Sequence, residues 1–445
     1  MSNAWRLPFF AILIFLTACQ RDEPLNFDHG TELEELLQQY GGKEQFLLPD
    51  GSDLSAIPQD PRNPLSAEKV ALGQLLFHET AIGTHGKSAT AVGTFSCASC
   101  HFAGAGFQAG TFQGIGEGGE GFGLNGEARH RAAAVPFSDV DVQPIRSPAA
   151  LNTAYQEAML WNGQFGATGV NAGTEAGWTA GTPKETNQLG YQGLETQAIA
   201  GLGVHRIGLD HTQADALGYA ALFRAAFPGV TDTALFTTLY AGLAIAAYER
   251  TLLADQSPWQ RYLRGDENAL DAPQRAGAVL FFGAGGCVDC HSGPALNSMA
   301  FYALGMDDLV DCAEPTIRTS VDNVENLGRG GFTGRDEDLY RFKVPQLYNL
   351  KSSPFYGHGA SFRTVRDVIA YKNTAVGQND RVPAERLAPE FRPLALTETE
   401  IDQLTAFIEE GLYDPYLDRY VPGSLPSGQC FPNHDEASRQ DLGCQ

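Results

Sequence analysis

Cys97-Ala98-Ser99-Cys100-His101 and Cys287-Val288-Asp289-Cys290-His291 are two copies of one pattern, and they use four of the chain's eight cysteines. This spacing constrains the chain more than any other feature. Two thiols three positions apart can add to the two vinyl groups of one haem, and the histidine that follows reaches the iron from the proximal side. A Cys-x-x-Cys pair can also be a redox dithiol or half of a zinc site. A dithiol does not need the histidine, and neither half offers two further zinc ligands at similar spacing. The pattern therefore assigns Cys97, Cys100 and His101 to one haem and Cys287, Cys290 and His291 to a second. Of the remaining cysteines, Cys430 and Cys444 would close a short C-terminal loop. With Cys312 the count is odd, so the pairing stays open.

The first residues read as a processing signal. Arg6 precedes an apolar run at 7–16, and Leu16-Thr17-Ala18-Cys19 follows. Small residues before a cysteine, after a run too short to span a bilayer comfortably, resemble a bacterial lipoprotein cleavage site. Cys19 would then carry the lipid anchor, and Gln20 in place of Asp leans toward the outer membrane. Such a chain is expected in the periplasm or cell envelope, where disulfides form. The formal charge of −23 argues against a nucleic-acid partner and suits basic protein partners.

Hydrophobic periodicity is helical almost throughout. Val70, Leu72, Leu75, Leu76 and Phe77 share a face, and apolar helices are expected at 235–253 and 272–282. Thr397 and Glu400 form a capping box that Leu396 and Ile401 can staple, before the stripe Ile401, Leu404, Phe407, Ile408 and Leu412. Residues 104–126 are glycine-rich loop, and 307–337 are polar and turn-rich. The expected class is mainly α, built from two related halves. The expected divisions are a leader (1–18), a polar tether (19–64) with some helix from Leu33 to Tyr40, a first helical domain (65–255), a second (256–420) and a cysteine-containing tail (421–445).

Ordered blocks extend the pattern: Asn63-Pro64-Leu65 with Val70-Ala71-Leu72-Gly73, Ser147-Pro148 with Leu151-Asn152, Trp161-Asn162-Gly163, Gln197-Ala198, Ala246-Ala247-Tyr248-Glu249-Arg250-Thr251-Leu252, Phe342-Lys343-Val344-Pro345-Gln346-Leu347-Tyr348-Asn349, and the stretch from His358 to Phe362. Over residues 63–412 the chain resembles the bacterial di-haem cytochrome c peroxidase family, which includes the di-haem enzyme of methylamine utilisation. The resemblance implies two cytochrome-c-like helical domains, each with one covalent haem. The N-terminal haem would meet peroxide and the C-terminal haem would relay electrons. It also implies that Trp161 couples the two haems and that Gln197 lines the peroxide pocket.

The chain departs from that family in four places. The distal ligand of the relay haem, usually methionine or tyrosine, falls at Tyr371 or, with a one-residue gap, at Lys372; Tyr371 is favoured, and His358 is a third candidate. The acidic partner of Gln197 falls at Ile207, which transfers no protons, so His205 or Arg206 would have to help. The family's calcium asparagine is replaced by Arg146, whose guanidinium has no lone pair for a cation, and this argues against calcium. The segment between Trp161 and Gln197 is long, rich in Gly and Thr, and carries Trp178.

The resemblance implies a peroxidase that reduces hydrogen peroxide with electrons from a small cytochrome c or cupredoxin. An alternative is peroxide-dependent oxidation of Trp or Tyr in a partner protein through a high-valent di-haem state. A non-enzymatic electron carrier is the third reading.

Overall fold

The computed structural model describes Met1 and residues 29–444. The expected leader, the lipidation cysteine Cys19 and the first part of the tether lie outside the described residues. The chain folds into helices joined by long ordered loops, with two short antiparallel ribbons, β1 (Gly119–Glu120) on β2 (His130–Arg131) and β3 (Phe301–Tyr302) on β4 (Phe342–Lys343). Among the described residues no helix is long and apolar enough to cross a membrane.

Two helix groups position the two motifs. In the first, α2 (Ala67–His78) and α3 (Gly193–Val204) both pack on α4 (Thr238–Arg250). In the second, α5 (Ala272–Phe282) packs on α7 (Glu398–Ala406), and α7 also meets α6 (Val365–Thr374). Each crossing is sealed by a glycine. A Cβ on Gly73 would lie 1.9 Å from the Ala244 carbonyl oxygen, and one on Gly277 would lie 2.0 Å from that of Gln403. No side chain fits there, so the helix backbones touch. One continuous apolar core runs through both groups, from Leu33 to Leu417.

The capping box at Thr397 forms as the spacing predicts: the Glu400 amide donates to Thr397 Oγ1 at 3.3 Å and the Thr397 amide donates to Glu400 Oε2 at 2.8 Å. The apolar stripe behind it is buried, with Leu404 at 1% and Phe407 at 0% exposure. The helix expected at the end of the tether forms as α1 (His29–Gln39), and Leu33 and Leu37, one helical turn apart, are fully buried against α5.

The cysteine tail closes with a Cys430–Cys444 disulfide, and Cys312 stays free. This tail folds back on the first motif. Ser96 Oγ donates to the Pro432 carbonyl at 2.9 Å, Ser99 Oγ donates to Asn433 Oδ1, and Asp441 accepts the amides of Phe122 and Gly123 at 2.8 and 2.9 Å.

Candidate functional site

Both motifs adopt the same local geometry. Cys97–Ser99 and Cys287–Asp289 are single tight helical turns, and each histidine amide donates back to the first cysteine's carbonyl, at 3.1 Å for His101 and 2.9 Å for His291. The turn brings both thiols and the imidazole to one side. His101 Nδ1 donates to the Phe107 carbonyl at 3.2 Å, and His291 Nδ1 donates to the carbonyls of Leu296 and Pro345, each at 3.1 Å. Phe107 and Leu296 both take positive φ, 56° and 47°, which turns those carbonyls back toward the rings. With Nδ1 occupied, Nε2 of each histidine carries the lone pair, as an iron ligand requires. Burial holds both imidazoles neutral, with pKa values lowered to about 4.

The four cysteines are free thiols, and burial pushes their pKa values up. A reactive dithiol would show a depressed value. Among the described residues no group of three or more His, Cys, Asp or Glu is arranged to hold a metal ion. The donor sets therefore fit covalent haem: paired protonated thiols beside an imidazole whose tautomer is fixed from behind.

On the first-motif side, Gln197 and His205 lie two turns apart on and just beyond α3. A Cβ on Gly201, midway between them, would sit 3.6 Å from Gln197 Nε2 and 3.8 Å from His205 Cδ2. Glycine keeps the space between the two side chains open. His205 is close enough to His101 for their charges to interact. His205 Nδ1 also donates to Asp141 Oδ2 at 2.8 Å. Burial presses the His205 pKa down, but the charge and hydrogen bond of Asp141 outweigh it, and the net shift is upward. Asp141 is itself buried at 5% exposure, and its pKa is held low despite burial by His205, Arg206 and Arg318. Sequence reasoning missed Asp141; it lies 64 positions from His205 in an irregular loop and carries no local pattern.

The Arg206 guanidinium pairs with Glu117 and donates to the Asp139 carbonyl, and its charge bears on both Asp141 and His205. Ile207 is buried. The long segment after Trp161 is ordered by buried Asn171, which donates to the Gly163 and Gly166 carbonyls, and by Asn187, which accepts the Gly166 amide. Trp178 bonds within it, its Nε1 donating to Thr174 Oγ1 at 3.1 Å.

On the second-motif side stand the two neighbours on α6, Tyr371 and Lys372. The Tyr371 hydroxyl donates to the Leu304 carbonyl, and its ring packs on Phe362 and Phe391 with centroids 5.0 and 5.1 Å apart. One residue on, about 100° around α6, Lys372 comes close enough to Cys287, Cys290 and His291 for its charge to bear on all three. Among the described residues its ammonium has no hydrogen-bond or ion-pair partner, and burial pushes its pKa down. His358, the third candidate, sits in contacts of its own. Its Nε2 is bonded to Asp308 Oδ1 at 3.1 Å, and its ring stacks on Phe342 at 3.6 Å.

Trp161 and His358 meet edge to face, with ring centroids 6.3 Å apart. Trp161 Nε1 donates to the Arg146 carbonyl at 2.8 Å. The guanidinium of Arg146, where an asparagine was expected for calcium, donates to Thr111 O and Ser353 Oγ, both at 2.7 Å, and more weakly to Gln108 Oε1 and Ala109 O.

Comparison with known proteins follows the same lines. Residues 67–268 match the family described as di-haem cytochrome c peroxidase. A cytochrome-c peroxidase IdrP1 of Denitromonas iodatirespirans is 28% identical, covering 84% of this chain and 90% of the relative. The methylamine utilization protein MauG of Methylorubrum extorquens is 28% identical, covering 82% and 83%. Among solved structures, a MauG-like protein associated with microbial copper homeostasis superposes with a TM-score of 0.55 at 20% identity, covering 84% of this chain and 95% of that one. That likeness concerns the fold.

Proposed function

Because the chain belongs to the di-haem cytochrome c peroxidase family, we propose that it is an oxidoreductase that reduces hydrogen peroxide to water with electrons from a small periplasmic cytochrome c or cupredoxin. The reaction takes up two electrons and two protons per peroxide and releases two waters. The haems, when bound, supply the iron at which the O–O bond breaks and the means to take up electrons one at a time. Cys97, Cys100 and His101 would hold one of them, and Cys287, Cys290 and His291 the other. The chain's own residues position the peroxide and manage its protons. The Gln197 amide orients it, and neutral His205 takes a proton at Nε2 from one oxygen and returns it to the other. Asp141 fixes the His205 tautomer and stabilises the imidazolium between those events. Trp161, with His358 edge-on to it and its carbonyl bonded to the Lys343 amide of the second half, is proposed to couple the two halves.

The observation that carries this reading is the His205–Asp141 pair, set across an open glycine from Gln197. It supplies the acid–base group that Ile207 cannot. The reading in which oxidising equivalents act on a partner's Trp or Tyr drew on Tyr371 standing opposite His291, and the Tyr371 hydrogen bond to Leu304 does not support it. The acidic charge of −23 suits a basic electron donor. The Cys430–Cys444 disulfide supports an exported, oxidising location, with lipidated Cys19 as the proposed tether.

The test is steady-state oxidation of a reduced small cytochrome c by hydrogen peroxide with the purified holoprotein. Two cytochromes oxidised per peroxide are expected. A holoprotein that reacts with peroxide but oxidises neither a cytochrome nor a cupredoxin above the buffer rate would reject the donor assignment.

A further inference from the structure

The second half repeats the first around the junction between them, at a constant offset. Asn152 and Asn349, Gln156 and Ser353, Trp161 and His358, and Arg146 and Lys343 are each separated by 197 positions. The backbone repeats with them. Asn152 and Asn349 both take positive φ, and the small bridges Met159–Phe165 and Tyr356–Phe362 enclose Trp161 and His358 respectively. The two halves also exchange equivalent bonds. The Arg146 amide donates to the His358 carbonyl at 2.9 Å, and the Lys343 amide donates to the Trp161 carbonyl at 2.8 Å. Arg146 reaches Ser353 across the junction, and Lys343 reaches Gln156, the equivalent residue of the other half.

At the two equivalent positions of this approximate two-fold stand two basic side chains, Arg146, which stays charged, and Lys343, whose pKa burial pushes down to about 7. Arg146 is 2% exposed and Lys343 is 6% exposed, and neither has a carboxylate partner among the described residues. Their acceptors are neutral: Thr111 O, Ala109 O, Gln108 Oε1 and Ser353 Oγ for Arg146, and Gln156 Oε1 and Ala158 O for Lys343. Burying a charge without a counter-charge is strongly unfavourable, and a neutral side chain would meet the same structural need at lower cost. An uncompensated cation in a low-dielectric junction acts at long range on any redox group nearby. The charge of Arg146 already bears on His101. Lys343 lies two residues from Pro345, whose carbonyl holds His291.

We infer that Arg146 is a resident cation that favours the reduced state of the centre held by His101, that its pseudo-symmetric counterpart Lys343 does the same for the centre held by His291 when it is protonated, and that Arg146 also positions Trp161 through its backbone carbonyl. The inference rests on the di-haem reading above. A positive charge that stays in place stabilises the ferrous over the ferric state, so its removal lowers the midpoint. The oxygen acceptors that a hard free cation would need are already taken by the guanidinium.

Spectroelectrochemical titration of the holoprotein tests this, with haem content per chain measured on the same samples. Arg146→Gln is expected to shift the first-motif couple toward ferric by at least about tenfold in the equilibrium ratio, about 59 mV for one electron. Arg146→Lys, which keeps the charge and loses the fork, is expected to recover most of that shift. Lys343→Met, titrated at pH 6 where Lys343 is protonated, should move the second-motif couple in the same direction, and it provides an independent reading where Arg146→Gln folds poorly. Calcium or a chelator added to the wild-type protein should leave both midpoints in place. Unchanged midpoints in Arg146→Gln and Lys343→Met with two haems retained would overturn the inference and leave the cations a purely structural role. A wild-type chain carrying fewer than two haems would instead reject the reading on which it rests.

Discussion

Replacing Lys372 with alanine is expected to abolish the low-spin electron paramagnetic resonance signal of the second centre, while Tyr371→Phe leaves that signal intact. The two residues are neighbours on α6 and differ by about 100° in direction. Tyr371 has committed its hydroxyl to the Leu304 carbonyl and its ring to Phe362 and Phe391. Removing that hydroxyl loses one partly buried hydrogen bond, about 1 kcal/mol of stability, and leaves the iron untouched. Lys372 faces the second Cys-x-x-Cys-His motif with no partner among the described residues. An amine opposite His291 would give a six-coordinate, low-spin iron, and truncation to alanine opens that position and raises the spin. Loss of the signal in Tyr371→Phe, with Lys372→Ala unchanged, would restore Tyr371 as the ligand.

His205→Gln is expected to slow the reaction with peroxide by about 10²–10⁴-fold, the usual range for a positioned acid–base group. Asp141→Asn keeps the shape and removes the charge that favours imidazolium. The sign of its pH effect follows. His205 works as a base only when neutral, and its pKa is raised above the usual histidine value. The peroxide rate of the wild type should therefore fall on acidification through a pKa above about 6.5. In Asp141→Asn that acidic limb moves to lower pH, and the plateau rate also drops because the tautomer is no longer fixed. Stopped-flow rates measured from pH 5 to 9 read both effects. An acidic limb at the same pH in Asp141→Asn would dissociate Asp141 from His205.

Much of this was legible from spacing. The two motifs, the capping box at Thr397 and the helix at 272–282 are local patterns, and local chemistry decides them. Tyr371 against Lys372 was not decidable, because a one-residue gap is invisible until the helix phase is fixed by what Tyr371 bonds. Asp141 lies in an irregular loop far from His205 in sequence, and only the fold brings them together. The repeat of Arg146 by Lys343 and of Trp161 by His358 was hidden because the paired residues differ in type. It emerges from matched backbone bonds rather than matched side chains. The helix near Leu33 was legible, but its burial was not: composition averages over a segment, whereas burial depends on Leu33 and Leu37 one turn apart.

The central claim is that one chain holds two haems that share oxidising equivalents. It is tested most directly by counting haem per chain as the pyridine haemochrome and then following both ferric signals by electron paramagnetic resonance after one equivalent of hydrogen peroxide. Two haems per chain, with both signals altered by the single equivalent, is the predicted result. One haem per chain, or a change confined to one signal, would contradict it.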